Sequence, residues 1–189
     1  LYANKKTRQT AEKDSLTQTF NRLTILDKIR RHPQSSSGSH KHVLVLFDLD
    51  NFKDINDSYG HPTGDIALKH VAKTIKGQLE EKDCVGRIGG EEFLVLLSDV
   101  LEEQIWHRVE KMRETIEISH FMSEDHQSLN LTASFSYLAT SKPLHDFDEL
   151  YSILDQALYQ VKQNGKNQII DAYNEPIYLP SSAYVPVQP

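Results

Sequence analysis

The sequence predicts an α+β sandwich, a central, mostly antiparallel sheet flanked by helices. Three observations predict it. The run VLVLF at residues 43–47 is continuously apolar and ends on Asp48, as expected of a central strand covered on both faces. Two apolar segments, residues 84–88 and 93–97, flank Gly89 and Gly90 and read as an antiparallel hairpin. Around these strands apolar residues recur at helical spacing, most clearly Phe147, Leu150, Leu154, Ala157, Leu158 and Val161.

The elements follow in order. Residues 1–13 are polar and rich in helix formers, and are expected to be a helical linker from an upstream region. The chain opens on Leu1 rather than Met, so we expect a longer polypeptide. An amphipathic stretch over residues 20–31 is closed by Pro33. Residues 34–42, QSSSGSHKH, are a loop by composition. After the central strand, Asp48 and Asp50 stand where the chain leaves the core. Leu68, Val71, Ala72, Ile75 and Leu79 then mark one helix, and Leu101, Ile105, Val109, Met112 and Ile116 mark another beyond the hairpin. LNLTASFSYLA, residues 129–139, alternates like a strand. Gly165 is placed to stop the last helix, and residues 168–171 form a final short strand. Residues 14–172 thus make one domain, and the proline-bearing residues 173–189 are expected to be an extended tail. This order of elements is the ferredoxin-like layout of palm-type nucleotidyl-transferring domains, although a fold does not fix a chemistry.

Composition narrows the function. With 189 residues the chain can bury a full core. A net charge of -6 argues against sequence-independent nucleic-acid binding, which needs a basic face. No apolar run is long enough to cross a bilayer, and no signal-peptide pattern is present. The lone Cys84 allows no internal disulfide, fits a reducing cytoplasm, and reads as a small buried apolar residue. The nine histidines are scattered, and no zinc site is read from them.

The candidate chemistry lies in carboxylates. Strand side chains alternate, so Asp48 and Asp50 point one way with the Leu49 carbonyl between them. If the hairpin pairs with the central strand, Glu91 or Glu92 arrives beside Asp48. An acid at a strand end is ordinarily just solvated. Several within a few ångströms repel one another unless a cation neutralises them, and hard oxygen ligands suit Mg²⁺ or Mn²⁺.

FDLDNFKDINDSYGHPTGD, residues 47–65, together with GGEEF, residues 89–93, resembles the GGDEF family of diguanylate cyclases. Asp14, Leu16, Thr17, Asn21 and Arg22 resemble the family's opening motif, and LDQALYQVKQNGKN, residues 154–167, its closing helix. The resemblance implies that two GTP condense to cyclic di-GMP with release of two pyrophosphates, each 3′-hydroxyl attacking the α-phosphate of the other GTP. One domain carries one GTP site, so activity implies a twofold homodimer, aligned by an upstream sensor domain. The resemblance further implies that Asp48 and Glu91 bind Mg²⁺ (or Mn²⁺) with the Leu49 carbonyl, and that Glu92 is a further ligand. Glu91 is also implied as general base, Lys53 as the cation facing the phosphates, and Asn56 and Asp65 as readers of guanine. A carboxylate accepts from guanine N1–H and N2–H, which adenine lacks. His61 either lines the nucleotide site or is a structural turn residue. Gly89 and Gly90 let backbone amides approach phosphates closely. Lys162 and Lys166 match phosphate-contacting positions, though the helix macrodipole also explains cations there. Lys166 stands where arginine is usual and loses bidentate geometry.

The chain departs from the family pattern at three further places. Glu80 replaces the arginine of the product-inhibition motif R-x-x-D, whose acid, Asp83, is retained; a carboxylate there repels an anionic product. Gln18 and Thr19 replace Gly-Leu of the opening motif, which predicts a poorer surface for the base. Ser136 replaces a frequent glycine. The alternative to an active cyclase is a catalytically degenerate module that binds GTP or a protein partner as a regulatory element. Another palm-type cyclase or polymerase is a third reading, disfavoured by Asn56 and Asp65.

Overall fold

The computed structural model describes residues 12–35 and 38–173. Nearly all of the expected linker (residues 1–11 of it) and tail (residues 174–189) lie outside the described residues. The elements are α1 (Arg22–Arg30), β1 (His40–Leu49), α2 (Phe52–Tyr59), α3 (His61–Lys76), β2 (Cys84–Arg87), β3 (Glu92–Leu101), α4 (Ile105–Ile118), β4 (Phe121–Met122), β5 (Ser128–Leu129), β6 (Ala133–Thr140), α5 (Phe147–Gln163) and β7 (Ile169–Asp171). Five strands form one sheet in the order β2-β3-β1-β6-β7, antiparallel except for the parallel β6–β7 pair. The expected α+β sandwich is what the chain adopts. No helix among the described residues is long and apolar enough to cross a membrane.

β1 lies at the centre because it can be buried on both faces. Val43, Val45, Phe47 and Leu49 point into a core with α3 and α4. Leu44 and Leu46 point the other way, against α1 and α5. Phe47 stacks between its cross-strand partners Phe93 and Phe135, with centroids 5.2 and 4.7 Å away. That aromatic row pins the register. The next pair in the ladder is Asp48 opposite Glu92, on the α1–α5 face. A slip of β3 by one residue would turn Glu92 into the apolar core on the other face of the sheet.

Differences from the sequence reading have local causes. α1 starts at Arg22 because the Asn21 side chain accepts from the Thr24 N–H and caps it. α2 escapes a periodicity reading because it buries no residue. The predicted strand at residues 129–139 begins only at Ala133, since residues 121–129 form the separate β4–β5 hairpin.

Candidate functional site

The register above gathers the acids. Asp48 and Glu92 are cross-strand partners and both are buried. Glu91, half-buried, is held to β1 by its carbonyl, which accepts from Leu49 N–H at 3.3 Å. Lys162, in the last turn of α5, places its ammonium on Asp48 Oδ2. Tyr151, three turns earlier on the same helix, donates its hydroxyl to Glu92 Oε1 at 2.6 Å. Burial pushes the Asp48 carboxyl up, and Lys162 opposes it. Burial, then the Asp48 charge, raises Glu91. Burial also raises Glu92, against the Tyr151 hydrogen bond. Each acid is therefore held less acidic than in water, and Lys162 is the cation that relieves all three.

Among the described residues no three acidic, histidine or cysteine side chains close around one point. The donor set nevertheless fits a hard divalent ion: carboxylate oxygens on two paired strands, partly desolvated, with an ammonium where positive charge is needed.

A second group lies on the paired helices α2 and α3. Lys53 is exposed in the first turn of α2, and His61 and Asp65 are exposed in the first turns of α3. Asn56 is half-buried, and its carboxamide lies across Gly64. A Cβ on Gly64 would meet Asn56 Oδ1 at 1.9 Å. Only glycine permits that approach, which sets Asn56 beside the residue preceding Asp65.

The turn at Gly89 and Gly90 is open. Neither glycine has a positive φ, and an added Cβ would meet nothing nearer than Glu92 Cβ, 3.7 Å from Gly89. The fold itself does not demand glycine at either position. The opening segment holds the turn instead. Arg22 donates to the Ile88 carbonyl at 3.0 Å, and Arg87 donates to the Gly90 carbonyl at 2.9 Å while pairing with Asp14. Thr17 in turn donates its N–H and hydroxyl to Asp14.

Residues 11–168 match the family model described as "Diguanylate cyclase, GGDEF domain". This chain belongs to the GGDEF family. Diguanylate cyclase A of Treponema denticola is 37% identical over 71% of this chain and 37% of its own length. A diguanylate cyclase of Vibrio cholerae is 34% identical over 85% of this chain and 49% of its own. The chain thus spans between about a third and a half of these relatives. Among solved structures, the GGDEF domain of DgcB from Caulobacter crescentus in complex with c-di-GMP superposes with a TM-score of 0.77 at 27% identity, covering 87% of this chain and 94% of that one. The active GGEEF domain of a Vibrio cholerae diguanylate cyclase gives 0.62 at 30% identity, over 71% and 85%.

Within this GGDEF domain the departures find structural reasons. Gln18 takes a left-handed φ of 59°, a conformation that suits glycine. Thr19 is buried and its hydroxyl bonds that of Thr17 at 2.8 Å, so it presents no surface to a base. Ser136 donates to the Leu154 carbonyl and ties α5 to the sheet. Glu80 is exposed. Asp83, expected as the surviving acid of a product site, has a fully buried carboxylate. Its oxygens accept from Ser98 N–H, Glu80 N–H and Arg108. The Cys84 thiol is pushed up to about 11 by burial, which disfavours the thiolate.

Sequence reasoning missed Tyr151, Arg87 and a set around Asp50. The only signal for Asp50 was its place two residues after Asp48; nothing local distinguishes a ligand from an anchor.

Proposed function

We propose that this GGDEF domain condenses two GTP into cyclic di-GMP, releasing two pyrophosphates. The observation that supports it most is the meeting of Asp48, Glu91 and Glu92 with Lys162 beside an open glycine turn. Asp48, Glu91 and the Leu49 carbonyl would hold Mg²⁺ or Mn²⁺, with Glu92 as a further ligand anchored by Tyr151. Bound there, the ion would supply Lewis acidity to the α-phosphate and lower the pKa of the attacking hydroxyl.

The chain's own residues do the rest. Asn56 and Asp65 read the guanine edge, and His61 stands at the same helix start. The absence of side chains at Gly89 and Gly90 leaves room for phosphates where the fold has no use for it. Lys53, Lys162 and Lys166 neutralise the triphosphate and the charge that develops on it. Glu91 accepts the proton of the 3′-hydroxyl. A single site holds one GTP, so two domains face each other about a twofold axis, brought together by a sensor domain joined through residues 1–13. GTP supply points to the cytoplasm.

The test is incubation with GTP and Mg²⁺ at rising protein concentration, with product identification. Cyclic di-GMP formation rising faster than linearly with protein is expected. A demonstrably dimeric, upstream-extended protein that binds GTP and forms no product would leave only a regulatory GTP-binding module.

Product restraint is expected to be absent. Glu80 brings a negative charge where an anionic product would need a cation, and the Asp83 carboxylate is committed to Ser98 and Arg108. Calorimetry should find no submicromolar binding of cyclic di-GMP. Such binding, lost on Asp83→Ala, would refute the expectation.

A further inference from the structure

The carboxylate of Asp50, two residues beyond Asp48, is 5% exposed. Its Oδ1 accepts from Ser134 Oγ at 2.6 Å. Its Oδ2 accepts from Thr132 Oγ1 at 2.7 Å and from the Asn167 N–H at 3.0 Å. The Asn167 N–H is shared with Ser134 Oγ at 3.1 Å. Both carboxylate oxygens thus accept, from two hydroxyls and a backbone N–H.

The segment this clamp holds is unusual. Gly165, Lys166 and Asn167 have φ of 106°, 64° and 48°, three consecutive residues in the left-handed region, two of them not glycine. Such a run persists only where surrounding contacts over-determine it. Asn167 is fixed from the other side as well. Its Oδ1 accepts from Arg113 at 2.8 Å and its Nδ2 donates to Glu117 at 2.9 Å, tying the turn to α4. The turn begins just after Lys162 and contains Lys166. Lys162 reaches Asp48, and Lys166 donates to Asn51 Oδ1 at 2.7 Å. Asp50 thus lies between two residues that the basic side chains touch, and holds the backbone that carries those side chains.

We propose that Asp50 is a positioning residue for nucleotide binding. Through Asn167 it fixes the left-handed 165–167 turn, so that Lys162 and Lys166 are delivered to the triphosphate. This rests on the GTP reading above. It assigns Asp50 no contact with metal or substrate.

The test is a double-mutant cycle on affinity for the α,β-methylene analogue of GTP with Mg²⁺, measured by calorimetry, with the thermal midpoint of each variant alongside. D50A should weaken binding about tenfold in the otherwise intact protein, and about twofold or less when K162A and K166A are already present. D50N keeps the shape and loses the charge. It should show the same pattern at smaller amplitude, and it decides the matter if D50A does not fold. An equal loss in both backgrounds, or no loss in either, overturns the proposal. Binding by the intact protein that K162A/K166A leaves unchanged overturns it too, while the GTP reading stands. No binding by the intact protein sinks the GTP reading itself.

Discussion

Glu91→Gln is expected to lower cyclic di-GMP formation by at least about a thousandfold, while the protein stays folded. Two losses combine. The carboxamide cannot take the 3′-hydroxyl proton, and it is a poor ligand for a hard cation. The substitution is close to isosteric, so packing between Gly90 and Glu92 is kept. Stability should not fall. Burial and the Asp48 charge raise the folded-state pKa of Glu91 above its unfolded value. Above both values its ionisation therefore disfavours the folded state, and a neutral side chain removes that cost. Product analysis at saturating GTP and Mg²⁺, with thermal denaturation of the same samples near neutral pH, checks both halves. Turnover within tenfold of the unsubstituted protein would remove Glu91 from the chemistry. Lost turnover with a markedly lower melting temperature would mean that the side chain is structural.

What could be read in advance follows from which forces are local. The apolar run ending on Asp48 fixes a doubly buried strand, and the glycine pair between apolar runs fixes a hairpin. From these two facts it follows that Glu91 or Glu92 arrives beside Asp48 as soon as the strands pair, and the register sets Glu92 opposite Asp48. Contacts between segments distant in sequence were not legible. Tyr151 reaches Glu92 only because α5 crosses the α1–α5 face of the sheet, which periodicity cannot orient. Asp83 looks like a ligand remnant in sequence, yet Arg108 from α4 and the backbone of β3 enclose it. Thr19 likewise looks like a lost apolar surface and is instead part of an internal hydroxyl chain to Asp14. Short polar residues are read poorly from sequence because the same groups serve as ligands, caps and anchors.

Lys162→Met is expected to act in opposite directions on metal and on nucleotide. The Lys162 ammonium lies on Asp48 and opposes the upward shifts of Asp48, Glu91 and Glu92. It therefore competes with any cation drawn to those oxygens. Removing it leaves the acids without that counter-charge, so Mn²⁺ titrated without nucleotide, at mildly alkaline pH where the acids are ionised, should bind more tightly than to the unsubstituted protein. The metal-free variant should melt at lower temperature, because a buried carboxylate has lost its partner, and Mn²⁺ should restore much of the difference. With GTP the sign reverses. With a divalent ion held by Asp48, the Lys162 ammonium would be free to face the phosphates, and a methionine has nothing to offer there. Turnover should fall about a hundredfold. Electron paramagnetic resonance of free Mn²⁺ reads the first effect and product formation the second. If Mn²⁺ binds no better to the variant, Lys162 is not holding the cation's place, and its contact with Asp48 is only a structural ion pair.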